Sequence, residues 1–341
     1  MNSKGCVFLE EGINFDLDTV TDCCILHGDN QGLPILLENY HGEMIDWEKL
    51  FELKSKRVAR QKQATIHECD GCYKLSDYVF KNEKKISEFH FSHCRICNSN
   101  CIYCSSTYNA LGKNYNVYPI IKDLIEKGYY KAGGEATMQG GEPTLMDNFE
   151  ELVDLFTTNG TRIRVHTSAI KYSEKVAQAL TNNTGLVVIS IDSACAQTYK
   201  KIKRVNCFDI VIENIKKYIK ASNESVIVKY IIIPGVNDNL KEINDFFKLM
   251  KEIGVKKVAV DIELKYAEKY RHKDVSPHIY MLFDYFEFLS KKFNMELNIY
   301  SFLGYVLNNR KTRKVKFLAN KFLFGWVLNL HNNKKKNLIY R

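Results

Sequence analysis

Three cysteines carry the first chemical signal in this chain. Cys97, Cys101 and Cys104 stand at C-x3-C-x2-C spacing in the run Cys97-Asn98-Ser99-Asn100-Cys101-Ile102-Tyr103-Cys104. Thiolates are soft ligands suited to iron–sulfur clusters, and a compact loop brings all three to one face of a cubane. Three protein ligands leave one iron of such a cluster open to a substrate or cofactor. The same spacing also admits a zinc knuckle or a set of buried free thiols. Of the 11 cysteines, only Cys195 and Cys207 fall beyond residue 104, and these two read as small buried hydrophobes. The N-terminus turns acidic at Glu10-Glu11 and shows no secretory apolar core. Clustered thiols in such a chain argue for ligation rather than a disulfide framework.

A second arrangement follows one expected strand later. The run 135–139 ends in Gly140-Gly141-Glu142-Pro143-Thr144, where paired glycines let backbone approach a ligand closely. Carbonyls there can accept hydrogen bonds from an ammonium group, and Glu142 adds a carboxylate. Alone this is a strand-to-helix turn; one β/α unit after a three-thiol loop it gains weight. A third group lies near the N-terminus: Cys6, the Cys23-Cys24 pair, Cys69 and Cys72. Cys6, Cys23, Cys69 and Cys72 have the count of a closed four-thiolate site for zinc or an iron–sulfur cluster. Cys24 is the alternative to Cys23, and Cys94 is a spare thiol.

These groups need a scaffold, and from about residue 86 the pattern supplies one. β-rich runs at 86–91, 135–139, 162–167, 186–191, 226–233 and 257–262 alternate with helical spacing at 118–127, 148–157, 173–180, 209–221 and 240–253. Gly128, Gly160, Gly185 and Gly254 fall near helix ends, where a left-handed cap favours glycine. Six successive β/α units predict a parallel sheet covered by helices, either doubly wound or a partial barrel with its chemistry on the loops after the strands. The expected fold class is α/β. The β/α part spans 86–265, preceded by a small Cys-rich region at 1–85 and followed by a helix/strand extension with a basic helical tail at 266–341. A helix is expected at 47–60, another at 276–292, and a strand at 296–300. His93, His166, Lys229, Asp261 and Glu263, at or near strand ends, are candidates for substrate contact. With 45% hydrophobic and 26% charged residues the chain is not disordered, and no apolar stretch approaches the roughly 18 residues of a spanning helix.

On these motifs the sequence resembles the radical S-adenosylmethionine (SAM) superfamily over about residues 86–265, and the resemblance implies a partial (β/α)6 TIM-type barrel there. The resemblance implies that Cys97, Cys101 and Cys104 bind a 4Fe-4S cluster whose open iron is chelated by SAM. Tyr103 then matches the aromatic that precedes the last cysteine, and Gly140, Gly141 and Glu142 match the motif that receives the SAM amino group. Ser190 and Asp192 would lie beside the SAM ribose or carboxylate, Lys203 or Arg204 would pair with that carboxylate, and 231–238 would pack beside adenine. Read without the resemblance, Ser190 and Asp192 cap a helix and the basic run is a solvated helix face.

The implied activity is reductive cleavage of SAM to a 5′-deoxyadenosyl radical that takes hydrogen from a substrate. That substrate is a peptide or protein, or a small molecule, and the reductant is a flavodoxin or ferredoxin. The competing class is a non-catalytic iron–sulfur or zinc-binding protein for electron transfer or scaffolding. The N-terminal cysteines, with the run 42–47, are similar to the SPASM auxiliary-cluster domain or its shorter twitch form, although here the region precedes the barrel. That likeness implies a second iron–sulfur cluster.

Charge gathers at the far end. The net charge is +9, yet residues 302–341 carry ten Lys or Arg and no Asp or Glu, so the remainder is close to neutral and shows no nucleic-acid footprint. Val315, Leu318, Phe322, Trp326 and Leu330 recur at roughly helical spacing in this tail. They describe either a helix packed across the barrel opening or a membrane-surface helix making peripheral contact. The expectation is a cytoplasmic protein that binds no nucleic acid.

Overall fold

Short apolar runs and capped amphipathic helices build the chain in the computed structural model, which describes residues 3–23, 35–63, 69, 72, 74–104, 114–266 and 276–299. Cys24 and the basic tail lie outside the described residues. In chain order the elements begin with β1 (Ser3–Gly5), α1 (Val7–Glu11), β2 (Gly12–Phe15), β3 (Thr19–Thr21), β4 (Ile35–Glu38), α2 (Trp47–Lys62) and β5 (Ser76–Tyr78). The alternating part follows with β6 (Glu88–Phe91), α3 (Tyr118–Glu126), β7 (Glu135–Met138), α4 (Phe149–Thr158), β8 (Arg162–Thr167), α5 (Glu174–Thr181) and β9 (Gly185–Ser190). Then come α6 (Ala196–Lys203), α7 (Phe208–Ala221), β10 (Val226–Ile232), α8 (Leu240–Glu252), β11 (Lys257–Ile262), α9 (Pro277–Phe293) and β12 (Glu296–Ile299). Each strand expected from 86 to 262 forms within two residues of its anticipated ends. The architecture is mixed α/β with parallel strands, the partial TIM-type barrel class.

The chain divides into two compact units, residues 1–189 with 210–226, and residues 190–209 with 227–341. In the first, β6, β7, β8 and β9 pair in parallel. Phe89 and Phe91 are fully buried, and both rings meet Phe156 of α4, at 4.9 and 5.7 Å between centroids. Alternation along a strand turns Glu88 and His90 to the other face. The expected boundary at residue 85 is not a break. β2 pairs in parallel with β6 from Gly12↔Glu88 to Phe15↔Phe91, and β3 and β4 extend that edge antiparallel. All four residues of β2 are buried, so their backbone groups need a ladder, and β6 provides it.

α2 locks this N-terminal region in place. Asp46 caps it by accepting from the Lys49 N–H, and the Trp47 indole donates to Asp123 of α3 at 2.7 Å. From its buried face Lys54 and Arg57 reach Asp22, at 2.6 and 2.7 Å, and Lys54 also donates to the Gly12 carbonyl at 2.7 Å. Burial pushes the Asp22 carboxyl up against the pull of these two cations.

Three of the four expected glycine caps hold: Gly128, Gly160 and Gly254 have φ of +74°, +75° and +86°. Gly185 does not cap. Asn183 takes the left-handed position after α5 at φ +57°, and Gly185 opens β9, where a Cβ would sit 3.0 Å from that of Ala179.

In the second unit β10, β11 and β12 are parallel, with Lys257↔Glu296 in register. The helix and strand anticipated at 276–292 and 296–300 are α9 and β12, so this part of the extension prolongs the β/α pattern instead of leaving it. Tyr230, Phe246, Phe247 and Phe286 form its aromatic core, with ring contacts of 5.0 to 5.7 Å.

Lys54→Met should destabilise the protein by about 3–5 kcal/mol, because one buried charge then loses a close partner. Urea unfolding of the two proteins side by side measures this.

Candidate functional site

The cysteine loop leaves the end of β6 and is clamped by the turn after β7. The Gln139 N–H donates to the Phe91 carbonyl at 2.8 Å, Gly141 N–H to Cys94 at 2.7 Å and Glu142 N–H to Ile96 at 2.8 Å. A Cβ on Gly141 would lie 2.3 Å from the Ile96 oxygen, and one on Gly140, at φ +108°, 2.9 Å from the Cys94 oxygen. The glycines are therefore required by close approach of the cysteine loop itself. Downstream, the Cys104 N–H donates to the Cys101 carbonyl at 3.1 Å, bending the chain around Tyr103.

Cys97, Cys101 and Cys104 are half-buried and Cys94 is buried. Burial pushes the Cys97 thiol up to about 11, and the neighbouring Cys101 and Cys104 thiols add to this. Among the described residues, no three His, Cys, Asp or Glu side chains converge as ligands of a single ion would. A cubane takes each thiolate on a different iron, so three thiols on one short clamped loop suit it as a donor set.

Glu142 is 1% exposed and turns inward. One carboxylate oxygen accepts from Thr144 Oγ1 at 2.8 Å, Thr167 Oγ1 at 2.7 Å and the Thr144 N–H at 3.3 Å. The other accepts from the Ser168 N–H at 2.8 Å and Ser168 Oγ at 2.7 Å. Ser168 Oγ also lies 2.9 Å from the side-chain oxygen of Asn98, inside the cysteine loop. Sequence reasoning missed Ser168 and Asn98; the available signal was a hydroxyl directly after a strand and an amide directly after Cys97.

On the face of β6, β7 and β8 opposite the phenylalanines stand Glu88, His90, Glu135, Thr137, Arg164 and His166. Arg164 grips Glu135 through two bonds, at 2.7 and 3.0 Å. Burial, then the Glu135 charge, raises the Glu88 carboxyl to about 7, and burial lowers His90 to about 4. Phe8 of α1 lies against His90 with ring centroids 5.4 Å apart. His93 is 1% exposed and packs among Phe91 and Tyr115, at 6.1 and 4.6 Å, which makes it a core histidine.

In the second unit Asp192 and Lys203 are buried and paired at 2.5 Å. Asp192 adopts φ +58° and accepts the Ile231 N–H at 2.7 Å. Asn237, unanticipated and fully buried, donates to the carbonyls of Asp192 and Ile231, both at 2.9 Å, and accepts the Ile233 N–H at 2.7 Å. Ser190 ends β9 half-buried, and Arg204 is the exposed left-handed residue after α6 at φ +57°. Cys195 stands at the N-terminus of α6, so neither Ser190 nor Asp192 caps it; it is exposed, against expectation. Lys229 and Asp261 pair at 3.2 Å, which turns Asp261 away from solvent.

Near the N-terminus Cys69 packs with Leu9, Val58 and Phe80, and Cys6 lies against this cluster. The Cys72 N–H donates to the Cys69 carbonyl at 3.0 Å, and the Lys74 N–H points at Cys72 Sγ at 3.3 Å. Burial pushes the Cys69 thiol up to about 12, with Cys6 and Cys72 contributing. Cys23 follows β3 and is half-buried.

Residues 91–250, a little under half of the chain, match the family model of the Radical SAM superfamily. A GTP 3',8-cyclase of Clostridium botulinum (strain Okra / Type B1) is 25% identical over 177 residues, 50% of this chain and 55% of that protein. The mycofactocin maturase MftC of Mycobacterium tuberculosis (strain CDC 1551 / Oshkosh) is 24% identical over 159 residues, 46% of this chain and 40% of that one. The chain thus spans about half the length of the curated relatives it matches. Among solved structures, Streptococcus suis SuiB bound to its precursor peptide SuiA shares the fold with a TM-score of 0.52 at 14% identity, over 81% of this chain and 57% of SuiB.

Gly141→Ala should cost about 2 kcal/mol or more, since the clash is with backbone and one of the two loops must move; thermal unfolding checks it. Glu88 gives a pH signature. Its carboxyl rises from 4.5 to about 7 on folding, so the folded state holds that proton more tightly and stability falls as pH climbs between these values. Glu88→Gln lacks this loss. Its stability relative to wild type should improve from about pH 5 to about pH 8, read by urea unfolding at each pH.

Proposed function

We propose that this chain is a radical SAM enzyme, with Cys97, Cys101 and Cys104 as the thiolate ligands of a 4Fe-4S cluster and the backbone of the turn 140–142 beside the SAM ammonium. The observation that carries this is the entry to the three-thiol loop, where the Cys94 and Ile96 carbonyls accept hydrogen bonds from the backbone of Gly141 and Glu142. Bound there, the cluster supplies the electron that divides SAM into methionine and a 5′-deoxyadenosyl radical, the species that takes hydrogen from substrate. The protein holds the thiols together, gives up their protons on ligation and places Tyr103 between the last two ligands. Ser190 serves the SAM ribose or carboxylate, and Asp192, buried and bonded to Lys203 and the Ile231 N–H, supports the strand end beside it. Of the two basic candidates, Arg204 is the one open to a carboxylate, because Lys203 is buried against Asp192.

We assign Cys6, Cys69, Cys72 and Cys23 to a second iron–sulfur cluster of SPASM or twitch type. N–H groups directed at the Cys6 and Cys72 sulfurs would stabilise thiolates there. The substrate we favour is a peptide or protein, a reading supported by relatives that include a maturase and a fold neighbour seen with a precursor peptide. A flavodoxin or ferredoxin is the proposed reductant, and the cytoplasm the proposed compartment. No helix among the described residues is long and apolar enough to cross a membrane; peripheral contact, if made, is assigned to the tail.

The test is anaerobic reconstitution of the full chain with iron and sulfide, followed by SAM and dithionite. Release of 5′-deoxyadenosine is expected from wild type and should fall to background in Cys101→Ala. Tightly bound zinc with no SAM cleavage would overturn the enzyme reading in favour of a metal-binding scaffold. Iron per chain should drop in Cys72→Ala while 97–104 stays loaded; an unchanged iron count removes the second cluster.

A further inference from the structure

We infer that Ser168 and Asn98 are positioning residues, which hold the cysteine loop against the end of β8 through a hydrogen-bonded chain onto the Glu142 carboxylate. The inference deepens the proposed function, resting on it for the cofactor but not for the geometry.

The Glu142 carboxylate is saturated. An ionised carboxylate offers about four lone-pair sites, and this one receives the five donors named above, from Thr144, Thr167 and Ser168. No acceptor site remains for an ammonium group. In this chain the Glu142 side chain therefore organises the site, and direct contact with SAM falls to the backbone of the turn.

Ser168 has one hydroxyl proton and two oxygens within reach, Glu142 Oε2 at 2.7 Å and Asn98 Oδ1 at 2.9 Å. The carboxylate is the stronger acceptor and takes the proton. Asn98 then meets the Ser168 oxygen with its NH2 group, an amide half-turn that leaves the shape of the side chain unchanged. The result is a directed chain that starts at the Asn98 amide, one residue from Cys97, and runs through the Ser168 hydroxyl to Glu142.

The turn that presents Ser168 is itself held under strain. Ala169, next in sequence, is a non-glycine residue at φ +56° and fully buried. Its N–H donates to Thr167 Oγ1 at 2.9 Å, and its carbonyl accepts from Asn214 Nδ2 of α7 at 2.9 Å. These bonds fix a backbone conformation that a free chain avoids, and with it the direction of the Ser168 hydroxyl.

Ser168→Ala, Ser168→Thr and Asn98→Asp in the full-length chain test this in two arms. In the metal-free protein, hydrogen–deuterium exchange of 94–104 should rise severalfold in Ser168→Ala and Asn98→Asp while the exchange of β10 and β11 stays unchanged. Ser168→Thr, which keeps the hydroxyl, should match wild type. In the second arm, the reduced and reconstituted proteins are titrated with SAM and followed by electron paramagnetic resonance. Ser168→Ala should keep its iron yet need about tenfold more SAM for half the spectral change, with recovery in Ser168→Thr. Unchanged exchange and an unchanged titration overturn the inference. So does exchange that rises throughout the protein, which marks a general fold defect. Faster exchange confined to 94–104, in a protein whose wild type shows no SAM-dependent spectrum, keeps the positioning role and removes the proposed function.

Discussion

The interaction on which the site depends is a backbone-to-backbone clamp between two strand ends. Gly141 and Glu142 donate to Cys94 and Ile96, so a loop with no strand or helix of its own takes its shape from its neighbour. Such an approach is possible only where Cβ atoms are missing, which explains two adjacent glycines at 140 and 141. The entry to the 97–104 loop is thereby held in place just ahead of its first thiol. A donor loop ordered in advance loses less conformational freedom on ligation than a slack one would.

Buried charge does related work in both units. Asp22 with Lys54 and Arg57 in one, and Asp192 with Lys203 in the other, each place a carboxylate just beyond a strand, with a cation brought in from a helix. Burying such groups is costly, and hydrophobic replacements of similar size are often no less stable. Their use here is geometric. Lys54 binds the Gly12 carbonyl as well as Asp22, and Asp192 binds the Ile231 N–H as well as Lys203, so each pair fixes where a strand begins or a loop turns.

The strands were legible because their signal is local. Runs such as Arg162–Thr167 and Lys257–Ile262 alternate or concentrate β-branched residues within six positions, and the helices between them repeat at helical spacing. The three thiols and the Gly140–Gly141–Glu142 turn were legible for the same reason. What escaped is long-range. Ser168 and Asn98 are 70 positions apart and acquire meaning only when β6 and β8 flank β7. Lys203 read either as a partner for a cofactor carboxylate or as part of a solvated basic face with Lys200, Lys201 and Arg204; only packing shows that it is buried with the carboxylate of Asp192. β2 escaped for a different reason. Gly12-Ile13-Asn14-Phe15 is too short and too mixed to stand out, and its identity as a strand comes from the partner it meets.

That partner has a practical consequence. β6 is the strand from which the cysteine loop departs, and β2 covers its outer side, with the β3–β4 ribbon beyond. A fragment begun at residue 86 would strip this cover and leave a bare row of amide and carbonyl groups beside the cysteine loop. Bare strand borders recruit other chains into continuous sheets. The strands β2 to β4 thus act as a selvedge, keeping the woven part of the molecule from fraying where the cysteine loop departs.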